Sequence, residues 1–208
     1  MGRKPVPNST SHAVVAVAMR VHGGRLESLL RRVERLPGES LARADGEPLE
    51  AALERAVDVG RLAHVEQLET RVLRDGTLAT VYLGLARPGT GLTGDWRAVG
   101  TRTPPEEREL VGAAQARLRA KLSYTNLGFA LAPEVFTISE LRELYVAALG
   151  HDVSATNLQR VLLRRGALER VDGHRAPGRT GGRPAALFRF ASQRLEVTDE
   201  FAALRPPR

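Results

Sequence analysis

The sequence lacks cysteine and has few lysines and aromatic residues. Without cysteine, disulfides and thiolate-ligated metal sites are excluded. Aromatic residues make up 4% of the 208 positions, and Lys4 and Lys121 are the only lysines among 31 basic residues. The one early apolar run, residues 13–19, is too short to span a bilayer, and no small-residue cleavage site follows it. We therefore expect a cytoplasmic protein whose positive charge is carried by arginine.

The positive charge is concentrated near the C-terminus. The chain has a net charge of +7, and its 42% of hydrophobic and 26% of charged residues are typical of a globular protein. Residues 153–192 contain eight arginines against two acidic residues, a surplus of six. Arginine forms bidentate hydrogen bonds with phosphate and guanine, so this segment favours a nucleic-acid partner. A genomic bias towards arginine codons explains the total charge equally well, but it does not explain the location.

The N-terminal part is predicted to be a mixed α+β domain, residues 12–103, after a disordered tail, residues 1–11. Apolar stretches separated by glycine-containing turns indicate strands at residues 13–21, 25–33, 63–73, 77–86 and 95–99. The Asp75–Gly76 pair between two of them is typical of a hairpin turn. Leu49, Leu53 and Ala56 recur at helical spacing, which predicts a helix over residues 47–59.

A linker helix is predicted for residues 104–124, where Pro104 and Pro105 interrupt the chain and a helical pattern follows them. Leu110, Ala114, Leu118 and Leu122 follow one another at intervals of four and share one helical face. The early glutamates and late basic residues of this segment also complement the helix dipole.

Residues 125–192 have the pattern of a winged helix-turn-helix, followed by a C-terminal tail, residues 193–208. Thr137 and Glu140 fit a capping box, and the helix that they begin is expected to end at Gly150. Ser154 is expected to cap a second helix. Strands are predicted at residues 167–171 and 186–191. The expected core positions of the two helices are Ile138, Leu141, Tyr145 and Leu149 in the first, and Leu158, Val161 and Leu162 in the second.

The second helix and the wing carry the predicted DNA-binding residues. In helix-turn-helix proteins the second helix enters the major groove, so its outward residues contact base edges or phosphates. The wing loop would place arginines on the duplex backbone, and Arg189 is expected to point away from Phe188 and Phe190. The predicted set is Thr156, Asn157, Arg160, Arg164, Arg179, Arg183 and Arg189. Two alternatives are a solvated arginine face and a protein-docking module.

Two resemblances extend this interpretation. The order of a hairpin, "LPG" at 36–38, "GE" at 46–47 and "VEQL" at 65–68 resembles the Nudix fold. "KLSYTNLGFALAPEVFTISELRELYVAALG" with "GGRPAALFRF" resembles the NrtR-type, Nudix-related transcriptional regulators of NAD metabolism. The resemblance implies an α+β fold, in which a Nudix-like α/β/α sandwich precedes the winged helix. It further implies a homodimeric repressor of bacterial genes, bound to an inverted-repeat operator and released by ADP-ribose or a related nucleotide.

The Nudix signature is degenerate in this chain. Its vestige comprises Gly46, Glu47 and Arg55. Glu47 can be the first glutamate and Arg55, eight positions later, the arginine, but Ala56 replaces the glutamate that should follow. The paired glutamates of the signature fall at or beside Val59 and Gly60, where no carboxylate is present. Nudix hydrolases use those carboxylates to hold magnesium. We therefore assign no catalytic or metal-binding residue and expect no metal cofactor.

The sequence leaves two alternative functions open. In the first, the chain is an active hydrolase of ADP-ribose-like pyrophosphates, with Glu50, Glu54 and Asp58 as a displaced metal site on one helical face. A solvated acidic stripe is the preferred interpretation of these three residues. In the second, the N-terminal domain only dimerises, since Glu39 replaces the second glycine of the family's "LPGG".

Overall fold

A five-stranded mixed sheet forms the centre of the N-terminal half. The computed structural model describes residues 12–34, 48–175 and 184–199. The strands are β1 (His12–His22), β2 (Arg25–Glu34), β3 (His64–Val72), β4 (Leu78–Leu85) and β5 (Arg97–Ala98). Their order in the sheet is β3-β4-β1-β2-β5. Both predicted hairpins are present, and β1 also pairs in parallel with β4, which the sequence pattern did not indicate.

The central strand β1 is buried on both faces. Val14, Ala16 and Ala18 belong to one apolar cluster, while Val15 and Val17 belong to a second cluster on the opposite face. Alternate residues of a strand point to opposite faces, so two covering layers require two sets of apolar residues. This double burial explains why β1 is an unbroken apolar run rather than an alternating one.

Helix α1 (Leu49–Ala56) covers one face of the sheet through Ala52, Leu53 and Ala56. It is shorter than predicted, because Val57 is extended and buried and a 3-10 turn follows at Val59–Arg61. Asp58 therefore lies beyond the helix, and the predicted acidic stripe of three residues on one helical face is wrong. Residues 1–11 and 35–47, which include Glu39, Gly46 and Glu47, lie outside the described residues.

Helix α2 (Pro105–Tyr124) covers the other face of the sheet. The predicted stripe Leu110, Ala114, Leu118 and Leu122 is buried, which completes an α/β/α sandwich. No helix within residues 12–34, 48–175 and 184–199 is long and apolar enough to cross a membrane.

The C-terminal domain is a winged helix. A 3-10 turn (Leu127–Ala130) leads to β6 (Phe136–Thr137), α3 (Ile138–Leu149), α4 (Ala155–Arg164), β7 (Leu168–Arg175) and β8 (Ala185–Phe190). The three strands form a sheet in the order β6-β8-β7. Strand β6 was not predicted, since two residues are too few to produce a periodic pattern.

The core face of α3 differs in part from the predicted one. Leu141 and Tyr145 are buried as expected, whereas Ile138 and Leu149 are half-buried. Leu144 and Ala148 occupy the core instead. In α4, Leu158 and Leu162 are buried and Val161 is half-buried.

The chain after β8 returns to the junction of α2 with the winged helix. Val197 forms a β-bridge with Thr125, and the backbone N–H of Thr198 donates to the Tyr124 carbonyl at 2.8 Å. The buried Asn126 side chain donates to the Arg194 carbonyl and accepts from the Glu196 N–H, both at 2.8 Å. Residues 194–198 of the predicted tail therefore form part of the folded structure.

Replacement of Asn126 by alanine should destabilise the protein. The change removes two hydrogen bonds of a buried side chain, so we expect a loss of about 1–3 kcal/mol in the free energy of unfolding. Urea denaturation measures this loss. The control is Ser139→Ala at an exposed position of α3, which should change stability by less than about 0.5 kcal/mol. Equal effects of the two substitutions would contradict the assigned role of Asn126.

Asp75, in the turn between β3 and β4, should titrate at unusually low pH. Its carboxylate accepts from the Thr77 N–H at 2.9 Å and pairs with Arg32 at 2.8 Å. The Thr77 hydrogen bond, aided by Arg32, lowers the pKa of Asp75 from 3.8 to about 2. The resulting stabilisation is complete above about pH 4 and is lost as pH falls towards 2. NMR titration of the carboxyl carbon checks this, and a midpoint at the ordinary value would contradict it.

Candidate nucleic-acid interface

Helix α4 presents a polar face to solvent. It begins at Ser154, whose hydroxyl accepts from the Asn157 N–H at 3.3 Å, as the sequence predicted. Because Leu158 and Leu162 are buried, the opposite side of the helix faces solvent. The residues exposed by this arrangement include Thr156, Asn157, Arg160 and Arg164. The four predicted residues of this helix therefore share a solvent-facing surface.

The connection between α3 and α4 sets the position of α4. Helix α3 begins with the predicted capping box of Thr137 and Glu140, in which each side chain bonds the backbone N–H of the other residue. It ends at Gly150, which has the left-handed backbone (φ 76°) that glycine adopts without strain. Arg142 of α3 donates to the Val153 carbonyl at 2.7 Å and pairs with Asp152. The turn is thus bound to α3 by a side chain as well as by the chain itself.

The exposed face of α4 carries positive charge without a carboxylate partner. Arg160 donates to the Asn157 side-chain oxygen at 2.8 Å, which holds the two residues together on the surface. Within the described part of the chain, Arg160 and Arg164 form no ion pair with a carboxylate. Unpaired arginines keep their donors available for phosphate or guanine.

The wing strands pack on the helices through aromatic residues. Phe188 and Phe190 are buried, and the rings of Phe136 and Phe190 lie 5.4 Å apart between centroids. Arg189 points to solvent between them, as the sequence predicted, but it forms an ion pair with Glu169 at 2.9 Å. Arg179 and Arg183 of the predicted wing loop lie outside the described residues.

Ion pairs neutralise part of the C-terminal arginine surplus. Besides Arg189, Arg165 pairs with Asp199 at 2.6 Å and Arg175 pairs with Glu140. The sequence count missed these partners, because Asp199 and Glu140 lie outside residues 153–192. Arg170 on β7 is an exposed, unpaired arginine of the described chain that the predicted set omitted; its guanidinium lies 5.9 Å from the centre of the Phe188 ring. The charge available for a ligand is therefore more localised than the sequence suggested.

The degenerate signature region contains no built metal site in the described residues. Arg55 donates to the Glu34 carbonyl at 2.7 Å, and Asp58 pairs with Arg61 at 2.6 Å. Glu50 and Glu54 are exposed on α1, while Ala56 is buried. No group of three or more histidine, aspartate or glutamate residues in this part of the molecule is arranged to hold a metal ion. Glu50, Glu54 and Asp58 therefore do not come together as the alternative hypothesis required.

Comparisons with solved structures define the fold. The chain superposes on Shewanella oneidensis NrtR complexed with a 27mer DNA with a TM-score of 0.66 and 22% identity, over 86% of this chain and 92% of that one. It also superposes on a MutT/nudix family protein from Enterococcus faecalis with a TM-score of 0.60 and 14% identity, over 89% and 90% of the two chains. The fold is a Nudix-like α/β/α sandwich followed by a winged helix.

Sequence comparisons match part of the chain to known proteins. Residues 128–190 match the NrtR DNA-binding winged helix domain. The ADPR responsive transcriptional repressor NtrR of Acinetobacter baylyi is 36% identical over 88 residues, which are 42% of this chain and 34% of the repressor. The match thus spans about a third of that relative's length. The chain therefore combines a Nudix-like fold with a C-terminal segment that matches the NrtR winged helix domain.

Loss of the α4 cap should weaken the domain without abolishing its fold. Ser154→Ala removes the acceptor for the Asn157 N–H, and we expect the free energy of unfolding to fall by about 1 kcal/mol. Ser154→Asp retains a capping oxygen and serves as the matched control. Urea denaturation followed by circular dichroism distinguishes them, and an aspartate variant as unstable as the alanine variant would argue against capping.

Proposed function

We propose that the protein is a DNA-binding transcriptional repressor. The observation that carries this proposal is the outward face of α4, where Arg160 and Arg164 have no carboxylate partner on a well-anchored helix. A winged helix of the NrtR type supports the same function, and the Shewanella relative was crystallised with DNA. In this proposal α4 enters the major groove, with Asn157 and Arg160 at base edges and Arg164 at phosphates.

The proposed role of the wing rests on fewer contacts. Arg179, Arg183 and Arg189 stay predicted phosphate contacts, and Arg189 would have to exchange its Glu169 partner for DNA. Arg170 is a further candidate because it is exposed and unpaired among the described residues. Phosphate contacts of this kind strengthen binding to every sequence and make it sensitive to salt.

We propose that the Nudix-like domain senses a metabolite and does not hydrolyse it. Ala56, Val59 and Gly60 offer no carboxylate where the signature needs magnesium ligands, so hydrolysis by the Nudix mechanism lacks its metal site. ADP-ribose is the candidate effector, because the Acinetobacter relative is an ADPR responsive repressor. Glu50, Glu54 and Asp58 do not supply a replacement, because Asp58 lies beyond α1 and is held by Arg61.

The proposed mechanism links the two domains in a homodimer on an inverted-repeat operator in the bacterial cytoplasm. A ligand that prefers one domain arrangement changes the spacing of the two winged helices and hence the affinity for paired half-sites. We propose domain limits of 12–103, 104–124 and 125–192, supported by the position of α2 at Pro105–Tyr124. An N-terminal domain that only dimerises is the alternative, and it predicts DNA binding that no nucleotide alters.

Arg160 and Arg164 should contribute to DNA binding in different ways, Arg160 at a base edge and Arg164 at a phosphate. In a gel-shift titration with DNA from upstream of the protein's own gene and from relatives' operators, Arg160→Ala should cost about 1–3 kcal/mol if it reads a base. Arg164→Ala should weaken specific and scrambled duplexes alike and lower the salt dependence. Arg61→Ala, an exposed arginine on the Nudix-like domain, is the control and should leave binding unchanged.

The outcomes of this titration separate the candidate functions. Unchanged affinity in both α4 variants would exclude α4 as the reading helix. A magnesium-dependent phosphate-release assay with ADP-ribose tests the alternative enzyme activity, and turnover there would overturn the non-catalytic assignment.

A further inference from the structure

A cleft lies between the Nudix-like domain and the winged helix. It opens widely to solvent, and its volume is about 420 Å³. Three elements line it: the β1–β2 turn with Gly24 and Arg25, α2 with Gln115 and Arg119, and the end of α3 with Val146 and Gly150. A second cavity of about 260 Å³, between the β2–β5 edge and α2, shares Gln115 with the cleft. The two cavities therefore adjoin along α2.

Among the residues that the structure describes, the charged ones lining the 420 Å³ cleft are both arginines. Arg25 and Arg119 line it from the sheet and from α2, and none of the described lining residues is a carboxylate. Neither guanidinium group forms an ion pair or hydrogen bond within residues 12–34, 48–175 and 184–199. Many other arginines of the N-terminal half are neutralised, among them Arg20, Arg32 and Arg97. The cleft thus keeps two guanidinium groups without a counter-charge.

Glycine makes room for one of these guanidinium groups. Gly150 ends α3 with a left-handed backbone, and a Cβ atom built there would overlap the guanidinium of Arg119. A glycine at this position therefore serves two purposes: it ends the helix, and it lets Arg119 lie against the helix end. The C-terminal dipole of α3 favours a cation beside its end, where Arg119 lies.

The lining indicates the chemical class of the ligand. Two guanidinium groups suit a phosphate, which accepts several charge-assisted hydrogen bonds. The Gln115 amide offers a neutral polar contact, and Leu26, Val99 and Val146 provide apolar surface for a ring. We propose that this cleft binds a small phosphorylated molecule, with Arg25 and Arg119 on its phosphate. The site lies across the sheet from α1 and so differs from the degenerate signature region.

A ligand in this cleft would contact both domains at once. It would join the β1–β2 turn of the sandwich to the end of α3, the helix that positions α4 through Arg142. Binding would then favour one orientation of the winged helix, because only that orientation completes the site. This consequence for DNA rests on the proposed function, whereas ligand binding itself does not.

Calorimetric titration of the full-length protein without DNA tests the site. The probes are pyrophosphate, ADP and adenosine; we expect ADP and pyrophosphate to bind and adenosine, which lacks phosphate, to bind at least about tenfold more weakly than ADP. Arg25→Gln and Arg119→Gln should each weaken ADP binding about tenfold or more, and Arg119→Lys should retain part of the affinity. Arg102→Gln is the matched control, since Arg102 is exposed on the same domain and lines neither cavity.

Several results would overturn this proposal. Failure of the wild-type protein to bind ADP or pyrophosphate at millimolar concentration excludes the site. An equal loss in the Arg102 control, or adenosine binding as tight as that of ADP, excludes phosphate recognition by the two arginines. If Arg119→Gln does not fold, the ADP affinity of Arg25→Gln, a change at the exposed turn, tests phosphate recognition without it. Arg160→Ala should leave ADP affinity unchanged. Wild-type protein that binds ADP but no DNA would refute the proposed function, whereas the proposed phosphate site in the cleft would stand.

Discussion

The structure depends on one apolar surface, the stripe along α2 that packs in two directions. Ala114 and Leu118 belong to the same buried cluster as Val15 of the sheet and as Phe129 and Leu141 of the winged helix. One continuous core therefore joins both halves of the chain. Because such a core is closely packed, a shift of α2 moves the winged helix and the sheet together. That constraint makes it physically reasonable for a ligand on the sandwich to influence α4.

Polar contacts also set the orientation of the sheet, α2 and the winged helix relative to one another. On one side, Glu66 of β3 pairs with Lys121 of α2 and with His64 at 3.2 Å. Burial by itself would raise the pKa of Glu66, but hydrogen bonds from Lys121 and His64 outweigh it and lower the pKa. On the other side, Arg87 after β4 donates to the Phe129 carbonyl at 3.0 Å. Apolar packing holds the domains together, and these directional bonds select one arrangement.

The arrangement of charge separates structural arginines from those free to bind. Arg165 has a side chain that is only 11% exposed. It pairs with Asp199 at 2.6 Å and donates to the Ser123 carbonyl, so it connects Asp199 to α2. Arg160 and Arg164, only a few residues earlier, face solvent without a carboxylate partner in the described chain. Arg25 and Arg119 are likewise unpaired at the domain cleft. The function of an arginine here depends on its surroundings and not on its position in the basic segment.

Local patterns in the sequence were enough to predict the two hairpins, the α2 stripe and the caps at Thr137 and Ser154, because each depends on residues close together in the chain. Only the tertiary structure revealed the parallel β1–β4 pairing, the Arg165–Asp199 pair and the cleft at Arg25 and Arg119. Each of these joins residues far apart in sequence, and no periodic pattern encodes which distant partner a side chain meets. The predicted end of α1 was wrong for a related reason. Val57 leaves the helix and buries its side chain, so tertiary packing overrides helical spacing there.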